Sequence, residues 1–235
     1  MLNLLLAIIP GIAISIYIYY LDIHEKEPHR FLISCFIFGM MSTIPAIFME
    51  EFGMSLGLRE SPNIFITAGF AFLVIALSEE TVKFLFLRYY IYPNDEFDEP
   101  MDGIVYAVMI GMGFATLENI LYAINFNMDT ILVRMFTAVP AHAAFAIIMG
   151  YYVGLAKHSK TGKEKKLLTY GFLGAFLLHG IYDFFLFQQA FEALAILAFI
   201  SLGVGIYYSK LMIDYHQEHS PHKKEEKEEI DVPIV

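Results

Sequence analysis

Seven apolar segments, each long enough to cross a lipid bilayer, fill most of this 235-residue chain. They cover residues 2–21, 31–49, 64–90, 102–124, 131–156, 167–187 and 190–210. A helix needs about 20 apolar residues to span the hydrocarbon core. Lipid admits only helices or closed barrels, and the period-two alternation of barrel strands is absent. The sequence therefore predicts an all-α, polytopic transmembrane helical bundle with about seven spans.

The composition supports a membrane protein with a charged end. Hydrophobic residues make up 57% of the chain and charged residues only 17%, which is unusual for a soluble domain. Lys and Glu dominate the last residues, as in solvated, disordered tails. We expect a transmembrane domain over 1–212, surrounded by membrane lipid, and a disordered cytosolic tail over 213–235. No basic patch indicates nucleic-acid binding.

Lys and Arg are unevenly distributed between the two sets of connections. They concentrate in the first, third and fifth connections and in the tail, whereas the opposite connections contain only Arg59. Positively charged residues favour the cytosolic side of a membrane. The distribution predicts that the N-terminus lies outside and the C-terminus in the cytosol.

Glu79, Glu80 and Lys83 interrupt the apolar third segment. A charge near the bilayer centre costs roughly 2.5–3.5 kcal/mol even on lenient scales, so it must be compensated. Lys83 lies three and four residues after the glutamates and can pair with either one. Adjacent carboxylates also repel, so we expect one of them to hold its proton at neutral pH, which prepares the pair for acid–base chemistry.

The fourth and fifth segments add Glu118-Asn119, Arg134 and His142. Glu118 is either a core acid paired with Arg134 or a histidine, or a residue of the functional site. Pro140 is expected to bend its helix and open a polar gap. His142 is either a core histidine bonded to a freed carbonyl or part of the site.

His179 and Asp183 in the sixth segment are four residues apart and share a helix face. They form either a local structural pair or a histidine held in one tautomer by a carboxylate. At about 1.5 Å per residue, Glu79, Glu118, His142 and His179 lie roughly 9–22 Å from the outer helix ends. These depths are compatible with one site in the middle to outer half of the membrane.

Glutamates and histidines that meet in a wet intramembrane pocket are suited to hydrolysis. A glutamate can accept a proton from water. The histidines can hold a zinc ion that activates this water, or can stabilise the oxyanion directly. The chain has no His-Glu-x-x-His motif, so it is not a conventional zincin.

The ordered motifs resemble those of the PrsW intramembrane proteases. They are Glu79-Glu80-x-x-Lys83, Asp102-Gly103-Ile104-Val105-Tyr106, Gly113 to Tyr122 with its Glu118-Asn119 pair, Pro140-Ala141-His142 and His179-Gly180-x-x-Asp183. The resemblance covers roughly residues 4–208. It implies a multi-pass protease of the bacterial cell membrane that makes the first, extracytoplasmic cut in a single-span anti-sigma factor and so leads to release of a sigma factor.

The resemblance also implies roles for individual residues. Glu79, Glu80 and His179 match positions that are essential in the family, and His142 matches the other histidine of the wider superfamily, which includes the CAAX prenyl endopeptidases. We predict Glu79 or Glu80 as the general base, His142 and His179 as zinc ligands or carbonyl-polarising groups, and four supporting residues: Lys83, Glu118, Asn119 and Asp183.

Two other classes of function use the same residues differently. In a proton-coupled transporter the acids and histidines would form a relay, although the chain shows no internal repeat. In a non-catalytic membrane scaffold they would serve helix–helix contacts.

Overall fold

The computed structural model describes residues 2–159 and 162–223, and none of these residues lies in a β-strand. The α-helices of this part of the chain are α1 Leu2–Leu21, α2 His29–Ser55, α3 Ile64–Gly69, α4 Leu77–Phe86, α5 Pro100–Asn125, α6 Met128–Phe136, α7 Ala138–Lys157, α8 Glu164–Phe187 and α9 Ile196–Glu218. A 3₁₀ turn, Glu192–Ala195, precedes α9. π-helical sections, Phe70–Ala76 and Leu87–Ile91, flank α4.

Six helices of the described chain are long and apolar enough to cross a membrane: Leu2–Leu21, His29–Ser55, Pro100–Asn125, Met128–Lys157, Glu164–Phe187 and Ala193–Glu218. The remaining predicted span is the composite helix, residues 64–91, in which α3, α4 and the two π-helical sections follow one another without a break. The predicted helical bundle is confirmed, and the composite helix coincides with the third predicted segment, residues 64–90.

Side-chain caps fix where several helices begin. The Asn63 side chain accepts a hydrogen bond from Phe65 N at 3.0 Å and starts the composite helix. Glu99 and Asp102 form a capping box around Pro100 at the start of α5. Such caps satisfy backbone N–H groups that a helix cannot pair internally. Asp102 thus acts at the helix start, which agrees with its position in the first turn.

Two predicted boundaries differ from the structure. The second span was expected to end at residue 49, but α2 continues to Ser55 because Gly53 packs directly against Val74. The boundary expected at 212 lies inside α9, which continues to Glu218 because Ile213 and His216 are buried. The predicted disorder of residues 224–235 falls outside the described residues.

The helix interruption expected from Pro140 occurs one turn earlier. Helix α6 ends at Phe136 and α7 begins at Ala138, with Thr137 at φ −124° and ψ −68° between them. Proline has no N–H to bond the carbonyl four residues before it. For Pro140 that carbonyl belongs to Phe136, so the missing hydrogen bond coincides with the break.

Helix α5 forms the centre of the bundle and packs against α1, α2 and α7. It is buried continuously from Met101 to Thr116. Glycines permit this close packing: a Cβ atom on Gly113 would lie 1.9 Å from the carbonyl oxygen of Phe36 in α2, and one on Gly150 would lie 2.2 Å from that of Gly103. Small residues at helix contacts are typical of membrane bundles.

The connections between helices lie on two opposite faces of the bundle. The N-terminal face carries the start of α1 and the connections 56–63, 126–127 and 188–191. The C-terminal face carries the connections 22–28 and 92–99, the start of α8, and the end of α9. The two ends of the described chain therefore lie on opposite faces.

Candidate active site

Glu79, Glu80 and Lys83 project from α4, the α-helical centre of the composite helix. All three side chains are buried. Lys83 Nζ lies 2.9 Å from Glu79 Oε2 and 2.9 Å from Glu80 Oε1. The lysine therefore compensates both carboxylates at once, as their spacing along one helix predicts. Its ammonium also lies 3.9 Å from the centre of the Phe114 ring, in cation–π contact.

His142 connects α7 to this charged cluster. Its Nδ1 lies 3.3 Å from Lys83 Nζ, and its Nε2 lies 3.1 Å from Glu118 Oε2. An ammonium group can only donate hydrogen bonds, so Nδ1 must be the acceptor. We therefore assign a neutral imidazole whose Nε2–H donates to Glu118.

Glu118 is an ion-paired acid that also contacts His142. Its Oε2 lies 2.7 Å from an Arg134 guanidinium nitrogen. Arg134 also donates from Nε to Asn119 Oδ1 at 2.7 Å and stacks 3.8 Å from the centre of the Tyr122 ring. The interpretation of Glu118 as an acid paired with Arg134 and a histidine thus agrees with the structure, while its role in the functional site stays a prediction.

His179 in α8 lies between two carboxylates. Its Nδ1 is 2.9 Å from Glu80 Oε1, and its Nε2 is 3.1 Å from Asp183 Oδ2. The ring stacks on Phe145 with 4.6 Å between centroids. These contacts fix the orientation of the imidazole and connect α8 to α4 across 99 residues of sequence.

The cluster borders a cavity of about 240 Å³ inside the bundle. Five of the predicted residues line this cavity: Glu79, Glu118, His142, His179 and Asp183. The other three, Glu80, Lys83 and Asn119, are not part of its lining. Glu60 and Phe187, which lie at the N-terminal face, also line it. The cavity therefore extends from the buried cluster towards the N-terminal face.

The donor atoms around Lys83 are suited to holding a metal ion. Ligand atoms of Glu79, Glu80, His142 and His179 all lie within 4.8 Å of one another, and all four residues are buried. Two imidazoles with one or more carboxylates form a typical donor set for zinc and similar ions. By donor chemistry and spacing, the residues present fit a catalytic metal.

The model of a protein family described as PrsW family intramembrane metalloprotease matches residues 27–208 of this chain. The chain belongs to this family. PrsW proteases with similar sequences come from Geobacillus kaustophilus (41% identity; 77% of each chain covered), Oceanobacillus iheyensis (43%; 79% of this chain and 84% of the relative) and Bacillus subtilis (38%; 76% and 80%). No solved structure matches the chain.

Membership of the PrsW family makes this protein an intramembrane protease, so the protease hypothesis is preferred over the transporter and the scaffold. The family description as a metalloprotease agrees with the buried glutamates and histidines of the candidate site, which could hold a metal ion. The resemblance inferred from the sequence motifs is confirmed.

Sequence reasoning missed several residues of the PrsW cavity. Glu50 follows the predicted second segment, 31–49, yet it lies in α2 and lines the cavity together with Glu60. Phe145 supports His179, and Tyr182 contributes to the wall. A glutamate at the end of a helix looks like an ordinary boundary residue, and the two aromatic residues resemble the other aromatic residues of these helices. No signal in a single sequence separates them.

Proposed function

We propose that this protein is an endopeptidase of the bacterial cell membrane that cuts a single-span anti-sigma factor on the extracytoplasmic side, leading to release of a sigma factor. The main support is the buried Glu–His cluster beside a cavity that extends to the N-terminal face. The Lys and Arg distribution favours this face as the outer one.

Glu79 is the better candidate for the general base. It lines the cavity, whereas Glu80 lies outside the lining and is held by Lys83 and His179. Glu79 would take a proton from water as the water oxygen bonds to the scissile carbonyl carbon. The same proton would then pass to the leaving amine nitrogen as the C–N bond breaks.

The other residues hold this glutamate and its surroundings in place. Lys83 fixes the position and charge of Glu79 and Glu80. Asp183 and Glu80 orient His179, while Glu118 orients His142. His142, His179 and one glutamate would hold a zinc ion, which when bound supplies a Lewis acid for the water and the carbonyl oxygen.

The test compares cleavage with metal content. Wild type, Glu79→Gln, Glu80→Gln and His179→Ala are purified in detergent and given a single-span substrate whose N-terminal part is cytosolic. Removing a general base is expected to lower the rate by roughly 10²–10⁴-fold while the protein stays folded. Glu51→Gln is the matched control, because Glu51 is exposed on α2 and lies outside the cavity lining. Undiminished cleavage by Glu79→Gln would refute its role as base.

Zinc and orientation need separate measurements. About one zinc per chain, with cleavage lost on chelation and restored by zinc, is the expected result. A protein that cleaves without metal would exclude the zinc proposal.

The orientation in the membrane is tested by thiol labelling. Arg59→Cys should react with a membrane-impermeant thiol reagent in intact cells and Lys163→Cys should not, since they lie on opposite faces. The reverse labelling would contradict the proposed orientation.

A further inference from the structure

A groove of about 560 Å³ lies between α1 and α2, at the end of the bundle that carries the connection 22–28. The two helices follow one another in the chain, yet each packs mainly against α5 and little against the other. The second half of α1 and the first half of α2 therefore form two separate walls, and Met109 of α5 lies at the floor. No residue lines both this groove and the cavity of the candidate active site.

The walls of the groove are apolar and open on the lipid side. Ile16 of α1 and Ile33 of α2 both line the groove, and they are 52% and 60% exposed. Tyr19 and Tyr20 close the α1 wall at the C-terminal face. Tyrosines are enriched where a membrane helix meets the headgroup region. The groove therefore extends from the headgroup level into the hydrocarbon, which is the shape and polarity of a site for a phospholipid.

Three basic side chains lie at the tyrosine end of the groove. Lys26 Nζ donates to the Tyr19 carbonyl oxygen at 2.7 Å and lies 4.9 Å from the centre of the Tyr19 ring. His29 lines the groove, with its ring centroid 5.2 Å from that of Tyr19. Arg30 is exposed one turn before Ile33. His29 and Arg30 form no ion pair within the described ranges, 2–159 and 162–223.

The acids of the same connection do not line the groove. Asp22 is buried, and Glu27 is buried with its carboxylate bonded to the Tyr106 hydroxyl. Glu25 pairs with His222 at 2.7 Å. The basic side chains at the groove end are therefore available to an external anion.

This charge favours a lipid over a protein helix as the occupant. The cytosolic ends of membrane helices usually carry Lys and Arg. A substrate helix or a second copy of this chain would therefore place like charge beside the basic residues, which disfavours association. A phospholipid phosphate supplies the opposite charge, and its acyl chains match the apolar walls. Basic pockets between membrane helices on the cytosolic side bind anionic headgroups in this way.

We propose that the groove between α1 and α2 binds an anionic phospholipid. Its acyl chains lie along the walls that contain Ile16 and Ile33, and its phosphate lies beside Lys26, His29 and Arg30. No side chain caps the first turn of α2, so backbone N–H groups also remain for the phosphate. This site is separate from the proposed endopeptidase function and does not rest on it.

The test measures lipid binding to the full chain in detergent by native mass spectrometry. The probes are phosphatidylglycerol and phosphatidylcholine with identical acyl chains. Wild type should bind phosphatidylglycerol at least about fivefold more tightly, since one basic residue beside an anionic headgroup is worth about that factor. Arg30→Gln should remove most of this difference. Lys165→Gln, the matched control, loses the same charge at the start of α8 outside the groove and should retain it.

A second pair of variants tests the apolar part of the groove. Ile33→Trp fills the groove from an exposed position and should weaken the binding of both lipids. Ile200→Trp is the control, because Ile200 is 53% exposed on α9 and does not line the groove. It should bind both lipids as wild type does. A photo-crosslinking residue in place of Ile33 should form an adduct with phospholipid in native membranes.

Three outcomes would overturn the inference. The first is equal affinity of wild type for the two lipids. The second is an Arg30→Gln variant that binds phosphatidylglycerol as tightly as Lys165→Gln does. The third is a crosslink from position 33 to a substrate or to a second copy of this chain in place of lipid. None of these measurements involves cleavage, so the proposed function is decided separately.

Discussion

Replacing Lys83 by methionine tests how the buried cluster is stabilised. Lys83 Nζ lies 2.9 Å from a carboxylate oxygen of both Glu79 and Glu80. At an effective dielectric constant of about 20, each contact supplies about 6 kcal/mol of attraction before desolvation is counted. Removing one partner of a buried ion pair costs about 3–5 kcal/mol, because the other charge stays buried and unpaired. For a chain of this size, the melting temperature should fall by roughly 10 °C.

A second substitution identifies the source of this loss. Without Lys83, Glu80 still contacts His179 at 2.9 Å, whereas the nearest histidine nitrogen to Glu79 is 3.9 Å away, on His142. Glu79 should therefore carry most of the penalty. Lys83→Met combined with Glu79→Gln should recover most of the lost stability, although neither variant should cleave substrate.

The assay is thermal unfolding in detergent, with Lys210→Met as the matched control. Lys210 and Asp214 also pair at 2.9 Å and are also four residues apart, but the Lys210 side chain is 75% exposed. Solvent screens such a pair, so its loss should leave the melting temperature nearly unchanged. The reasoning is refuted if Lys83→Met has the same melting temperature as Lys210→Met. It is also refuted if the double variant, Lys83→Met with Glu79→Gln, is no more stable than Lys83→Met.

Three further predictions concern packing, pH and the orientation of a histidine. Gly113→Ala should sharply reduce the yield of folded protein in a size-exclusion assay, because the added Cβ would lie 1.9 Å from a carbonyl oxygen of α2. Gly203→Ala is the control and should be tolerated, because a Cβ at that position has no atom within 4 Å. Burial, followed by the nearby acids, raises the pKa of Asp22, at the end of α1, to about 8. The folded state therefore keeps a proton that the unfolded chain releases near pH 4, so stability should fall as the pH rises from about 4 to about 8. Asp22→Asn should flatten that slope in melting curves, and an unchanged slope would contradict the assignment. Asp183→Asn should lower kcat at least about tenfold with little change in KM and should shift the pH–rate profile, because it removes the charge of the carboxylate that lies 3.1 Å from His179 Nε2 and orients the ring. An unchanged profile would count against a positioning role.

Local parts of the site could be predicted from the chain because helix geometry fixes short spacings. Side chains three or four residues apart share a helix face whatever the surrounding fold, so Lys83 with Glu79 and Glu80 could be inferred directly. The pair His179 and Asp183 follows the same rule. The apolar segments likewise predicted a membrane bundle, since a bilayer leaves few alternatives.

The contacts between helices could not be inferred, because they depend on how the helices pack and rotate against one another. The bond from His179 to Glu80 and the contact from Lys83 to His142 join residues 99 and 59 positions apart. The bond from His179 to Glu80 requires α8 to approach the composite helix closely, and Gly180 of α8 packs directly against Phe72 of that helix.

The sequence by itself determined the membrane class, the helix content and the set of acids and histidines from which the site is predicted. Only the tertiary structure decided that Glu79 faces the cavity while Glu80 is held outside its lining, and that Glu50 reaches the same cavity from α2. The physical reason is that a residue's type and its spacing within one helix are properties of the chain. Its exposure to a shared cavity is a property of the packed bundle.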